Sequence, residues 1–357
     1  MINRIFVLGA SDPEMNAIEI LLGQAGQDFV HASVNGRRVS PRDAYAEPTM
    51  IMAGSVDPAM VIPSVVVTVE CDVQLPEEWR GADVVVVDHH RPGDPGYGLG
   101  PDHFVEASSV GQVISLLAQE GVPLPFRHAP VPKSEGAGSI HRAHGHWWVE
   151  TIPALSGVVY GEQIPTALVM TAAADHCLAA AYAGKCPGVD PEELLLHRAS
   201  ERGEWLARGP GQGRDAARES LCRDPADLDT AEDAAYAWAV AVLAGVHVTR
   251  ERLRELVRNR ARREVLGGVE VLDLRSIGTL PELPTALSLE GLAAIYRMVP
   301  PEGARDPRVK VGIIGAGLGT VPGPEPVVAF LGHWAREHGL MGIYGDPARG
   351  YAGGYEE

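Results

Sequence analysis

No apolar run in this sequence approaches the roughly 18 residues that a membrane span requires, which excludes an integral helical membrane protein. Its first residues, MINRIFVLGASDPE, turn polar too early for a secretory signal and lack the cleavage pattern of one, so a soluble cytoplasmic protein is expected. Cysteine is scarce: Cys71, Cys177, Cys186 and Cys222 are scattered without a CxxC pair. That spacing speaks against a zinc ribbon or a redox motif and leaves them as small buried hydrophobes. Basic residues are also short, 30 Lys and Arg against 47 Asp and Glu, for a formal net charge of −17. Such a surface repels polyanions, so binding a long duplex would need a strongly segregated basic face. A small anionic substrate held through a metal ion remains compatible. No internal repeat or long low-complexity tract is evident.

The chain's 357 residues are too many for one average domain and enough for two, with 45% hydrophobic and 22% charged residues, the balance of a globular protein. Residues 4–9 (RIFVLG), 65–70 (VVVTVE) and 83–88 (DVVVVD) are short apolar runs bounded by turn residues, as parallel strands buried on both faces would be. Helical spacing follows them, with Ile18, Leu21, Leu22 and Ala25 in one stretch and Val113, Ile114 and Leu117 in another. Strands alternating with helices predict an α/β fold with a doubly wound, mostly parallel sheet over residues 1–190. Residues 121–150, rich in Pro, Gly and His, read as a long loop or an inserted hairpin. Residues 191–267 read as a charged helical connector, and 268–357 as a smaller α/β domain.

The strongest chemical signal is Asp88-His89-His90 at the end of the third of those strands. Ligands of open α/β sheets bind at the carboxyl ends of strands, and Asp with imidazole suits manganese, iron or zinc. The first strand runs into Ala10-Ser11-Asp12-Pro13-Glu14-Met15-Asn16, and the second into Glu70-Cys71-Asp72. Asp175 and His176 interrupt an alanine-rich apolar stretch at 164–182, which calls for a reason. Each acid also has a structural reading, since Asp12 or Asn16 would cap the helix that follows. Ser108 and Ser109 would either cap the next helix or hold an oxyanion at its N-terminus. Capping is the simpler reading. Gly312, Gly315, Gly317 and Gly319 lack the spacing of a dinucleotide loop.

This order of acidic turn with Pro, acid, intact Asp-His-His, Ser-Ser-Val-Gly and a later Asp resembles the DHH phosphoesterase superfamily over roughly residues 1–190. That superfamily holds RecJ-type exonucleases, nanoRNases, cyclic dinucleotide phosphodiesterases and manganese-dependent pyrophosphatases. Its first motif reads His-x-Asn-Pro-Asp-x-Asp, so the His position is Ala10 here and the two Asp positions are Glu14 and Asn16. The resemblance implies a metal set of Glu14, Asn16, Glu70 or Asp72, His89 and Asp175, with the second-motif acid bridging two ions. It implies Asp88 and His90 as catalytic residues, His90 on the substrate phosphate. The departure at Ala10 thins the first metal site, for which His31, His103, His176, His141, His144 and His146 are the histidines available. The C-terminal YGDPARGYAGGYEE stands where the family has a glycine-rich substrate loop, with Arg349 as a phosphate contact.

The expectation is therefore a manganese-dependent phosphohydrolase or phosphodiesterase acting on a small nucleotide or short oligonucleotide, with no long duplex and no membrane as partner and a homodimer left open. The alternative is a hydrolytically inactive DHH-like protein that binds a nucleotide or a partner.

Overall fold

The computed structural model describes all residues except 1–2, 41–42, 46–49, 131–136, 152–159, 209–230, 260, 267–268, 279, 301–307, 316–333, 347–349 and 357. The chain forms two compact units, residues 1–99 with 103–176, and residues 100–102 with 177–357. The division thus falls after His176 rather than near residue 190. The charged helices expected as a separate connector belong to the second unit, because they pack on one another and on the elements that follow them.

The first unit is built on β1 (Arg4–Leu8), α1 (Pro13–Gln24), β2 (Phe29–Val34), β3 (Arg37–Arg38), β4 (Met50–Ala53), β5 (Val65–Val69) and β6 (Asp83–Val87). Its sheet has the order β3-β2-β1-β5-β6, with β4 also on β2. β2, β1, β5 and β6 are parallel, as the valine-rich runs predict, while β3 and β4 add antiparallel pairs. Ile5, Val7, Val30, Ala32 and Val66 pack against Val39, Ala44 and Trp79 from the segments between strands.

One expectation is corrected at β6, which is not buried on both faces: Val84 is 52% and Val86 43% exposed. The reason is positional, since β6 ends the strand order and has β5 as its one described neighbour.

After β6 come α2 (Phe104–Ala107), α3 (Ser109–Gln119) and an antiparallel sheet of β7 (Arg127–Pro130), β8 (Ile140–Ala143), β9 (His146–Glu150) and β10 (Tyr160–Gln163), in the order β7-β10-β9-β8. The histidine-bearing segment is thus a hairpin. His144 and Gly145 form its turn with φ of 50° and 84°, the left-handed conformation that two-residue hairpin turns require. Trp147 fixes the hairpin by an edge-on contact with Phe104, 5.3 Å between ring centroids. The unit closes with α4 (Thr166–His176), which contacts α1, α2 and α3.

In the second unit, α5 (Leu178–Tyr182), α6 (Pro191–Arg208) and α7 (Ala231–Arg258) precede β11 (Arg263–Leu266), β12 (Val269–Asp273), α8 (Leu283–Glu290), β13 (Ala293–Met298), β14 (Lys310–Gly315), β15 (Met341–Asp346) and β16 (Tyr351–Tyr355). The sheet order is β11-β12-β13-β14-β16-β15, with β12 and β13 the parallel pair. Arg250 and Arg254 hold α7 to Glu290 at the end of α8. Val271, Ile295, Ile313 and Trp334 form the core on the sheet. The stretch 312–319 begins as β14, and its last four residues, like Arg349, lie outside the described residues. No described helix is long and apolar enough to cross a membrane.

Candidate metal centre

Register brings the acidic turns together. Leu8 pairs with Val69 and Val69 with Val87, so three adjacent parallel strands end at one level. The residues that follow converge at the carboxyl edge of the sheet. Gly9 is needed there: a Cβ on it would sit 2.4 Å from the Glu70 carbonyl oxygen.

Asp12 caps α1, its Oδ1 accepting the Met15 N–H at 2.7 Å, with Pro13 in the first turn. That puts Glu14 on the inner side of the same turn, where its Oε1 accepts the Val110 N–H at 3.0 Å. Glu14 is buried, and its Oε2 has no hydrogen-bond partner. Glu70 is carried in by a left-handed backbone, φ 50°, a conformation that costs a non-glycine residue about 1–3 kcal/mol. Its N–H donates to the Val87 carbonyl and its Oε1 accepts from Ser109 Oγ at 2.7 Å.

His89 is fully buried, with Nε2 3.1 Å from Asp175 Oδ2 and 3.4 Å from Glu70 Oε1. One atom each from Glu14, Glu70, His89 and Asp175 lie within 4.8 Å of one another, and Glu70, His89 and His90 form a second such group sharing two members with the first. Asp88 belongs to neither group and is satisfied by the protein. Its Oδ1 accepts from the backbone N–H groups of His89 and His90 and from His90 Nδ1 at 2.8 Å, and its Oδ2 accepts from Tyr45 Oη at 2.8 Å. Gln112 holds the strand end from α3, accepting the Asp88 N–H and donating to the Asp88 carbonyl.

These carboxylates do not sit equally well. Burial, with Asp175 and Glu70 next, pushes Glu14 well above the ordinary carboxylate range. Burial and the same two neighbours, Glu70 first, do likewise to Asp12 against the opposing pull of Met15 and Arg38. Burial also pushes Glu70 up, but the charge of His90 and the hydrogen bond and charge of His89 outweigh it, and Glu70 is lowered. For Asp88 burial is outweighed by His90 and Tyr45, which hold it at about 2. Asp175 stands in the last turn of α4, where the helix dipole disfavours a carboxylate. Two like charges about 4 Å apart repel by about 4 kcal/mol at an effective dielectric of about 20, more than a hydrogen bond returns. A cation answers this arrangement. An orphaned buried carboxylate oxygen and a set of three carboxylates with one imidazole fit manganese, iron or zinc.

Several sequence-derived candidates lie elsewhere. Asp72 is half exposed and pairs with Arg91 at 2.5 and 2.9 Å, so of the two second-motif acids Glu70 is the one in the cluster. Asn16 is partly buried on α1, two residues past Glu14. Ser108 caps α3, accepting the Gly111 N–H, and Ser109 is engaged by Glu70. Ala10 packs with Val39 and Ala44 in an apolar cluster. His31 is beside Glu19, His103 beside Glu106 and His141 beside Glu150, while His144 and His146 are exposed on the hairpin.

Tyr45 has no role in the sequence reading, and His176 enters it as one of the histidines available to the first metal site. Tyr45 ends a single 3-10 turn, Asp43–Tyr45, with no sequence pattern to mark it, and Arg91 lies over its ring at 4.3 Å. His176 carried a signal, a polar residue in an apolar helix, but its partner is visible in three dimensions alone.

No family model matches the chain, and no curated protein matches it. Among solved structures it is similar to the pGpG-specific phosphodiesterase PggH from Vibrio cholerae, at 12% identity with a TM-score of 0.37, covering 99% of this chain and 92% of that one.

Proposed function

We propose that this protein is a metal-dependent phosphohydrolase or phosphodiesterase of the cytoplasm, acting on a small nucleotide or short oligonucleotide. The observation that carries the reading is the group of buried Glu14, Glu70 and His89 with partly exposed Asp175, beside the Asp88–His90 pair. Manganese is the ion we assign, because oxygen donors dominate the set. Bound there, a divalent cation would supply a water of lowered pKa and positive charge for phosphoryl oxygens.

The chain's own residues do the positioning. Asp88, held ionised, accepts the Nδ1 proton of His90 and leaves Nε2 as that ring's remaining hydrogen-bonding atom, the one we assign to a substrate phosphate. Tyr45 restrains the same carboxylate from the other side. The hydroxyls of Ser108 and Ser109 are engaged inside the protein, so we give them no role on substrate. The net charge of −17 favours a short ligand over a duplex, which a protein gains little by contacting without a basic face.

Purified protein with manganese and a panel of linear dinucleotides, cyclic dinucleotides and pyrophosphate tests this. Release of nucleotide or phosphate from at least one member is expected. Failure with every member favours the second reading, a nucleotide- or partner-binding protein, which the replacement of the first-motif histidine by the core residue Ala10 motivates. Calorimetric titration separates the two: two manganese sites per chain favour the hydrolase, fewer than one the binding protein.

A further inference from the structure

We propose that His176 is a positioning residue that fixes the tautomer and orientation of His89, so that His89 offers a lone pair to the cation. The inference rests on the metal-centre reading and deepens it.

The two imidazoles are both completely buried and stack with 5.2 Å between centroids and 24° between planes. His89 Nδ1 lies 3.1 Å from His176 Nδ1, and His176 Nε2 lies 2.9 Å from the Leu99 carbonyl oxygen. A carbonyl accepts and never donates, so His176 Nε2 carries a proton. With that proton in place, a neutral His176 presents a lone pair at Nδ1. Two lone pairs cannot face each other at hydrogen-bond distance, so the proton between the rings sits on His89 Nδ1. The reverse assignment would put a second proton on His176, whereas His89 is the ring whose other nitrogen meets the Asp175 and Glu70 carboxylates.

His89 Nε2 is thereby the ring atom available to a cation, and it points at Asp175 Oδ2 and Glu70 Oε1. A metal ion bound there takes the place of the proton that Nε2 otherwise shares with these carboxylates. The ring is also prevented from turning. His90 abuts it edge-on at 4.4 Å, and Gly96 approaches its Cβ so closely that a methyl group there would lie 2.8 Å away. Metal-bound histidines are generally oriented by an acceptor on their second nitrogen, and loss of it costs about 10–100-fold in metal affinity. Here that acceptor is the residue next to Asp175, so one helix end delivers both a ligand and the group that orients another.

Three proteins test it: wild type, His176→Leu, which removes the acceptor, and His176→Gln, whose side-chain carbonyl accepts and whose amide donates. Manganese affinity is measured by chelator competition, and the tautomer of His89 in the metal-free wild type by long-range nitrogen–proton NMR. We expect His89 protonated at Nδ1, a 10–100-fold loss of affinity in His176→Leu, and recovery to within a few-fold of wild type in His176→Gln. Equal affinity in the leucine variant, or a metal-free wild-type His89 that carries no proton at Nδ1, overturns the proposal. Because the NMR measurement needs neither metal nor a variant, it decides the tautomer even if wild type binds no manganese, a result that would sink the metal-centre reading instead.

Discussion

On the imidazole side of the cluster, Asp88 accepts from Tyr45, from His90 Nδ1 and from two backbone N–H groups, and is held at about 2. On the carboxylate side, Glu14 accepts from Val110, keeps an orphaned oxygen and is pushed upward by burial and by Asp175 and Glu70. Both are buried acids at the edge of one sheet. One carboxylate has its charge answered by the protein, and the other has been left for something else to answer. The difference marks which half is a scaffold and which half is a receptor for positive charge.

The largest expected effect is on metal binding. His89→Ala should lose manganese by more than the 10–100-fold typical of an outer partner, while His90→Ala should keep it and lose turnover. Metal analysis of both folded variants, checked by circular dichroism, decides the matter, and equal metal content would break the division of roles.

The comparison itself is tested by making one chemical change on each side. Asp88→Asn should destabilise the metal-free protein at neutral pH by about 2 kcal/mol, since a carboxylate lowered from 3.8 to about 2 stabilises the fold by that order. That contribution is present above the unfolded value and is lost as the pH falls towards the folded one. Glu14→Gln should do the opposite, stabilising the metal-free protein. A raised folded-state pKa means the native state holds its proton longer than the unfolded chain. The penalty in wild type is therefore absent below the ordinary carboxylate range and grows as the pH rises through the raised value. Urea titrations of both variants across pH 4 to 8, run with chelator, read the signs; like signs would end the comparison.

The smallest effect concerns Glu70, whose left-handed backbone brings it between the two sides. Glu70→Gly should be more stable than Glu70→Ala by about 1 kcal/mol, because glycine adopts that backbone without strain. Thermal melts of the two metal-free variants suffice, and alanine at or above glycine would show that the conformation carries no strain.

The runs at 4–9, 65–70 and 83–88 gave away the parallel strands because a valine-rich segment between turns has few other ways to bury itself. The acidic turns followed from the strands, and Glu14, Glu70, His89 and Asp175 do meet. The exposure of Val84 and Val86 was not legible, because strand order rather than composition decides which strand is at the edge. Nor was β2, whose FVHASV lacks the continuous valines of its neighbours. The choice of Glu70 over Asp72 turned on a single left-handed residue and on Arg91 drawing Asp72 outward. Tyr45 and His176 act on residues 43 and 87 positions away, a separation to which local pattern is blind.

The bond from the Val110 amide to Glu14 spans 96 positions of the chain and closes a loop that the unfolded protein must give up entropy to form. Any ion that engages the same carboxylate binds the closed chain in preference to the open one. Mass action then ties occupancy to folding, with a gain of about 2.7 kcal/mol when free ion stands at 100 times its dissociation constant. The melting temperature of this protein would serve as a gauge of the free metal around it.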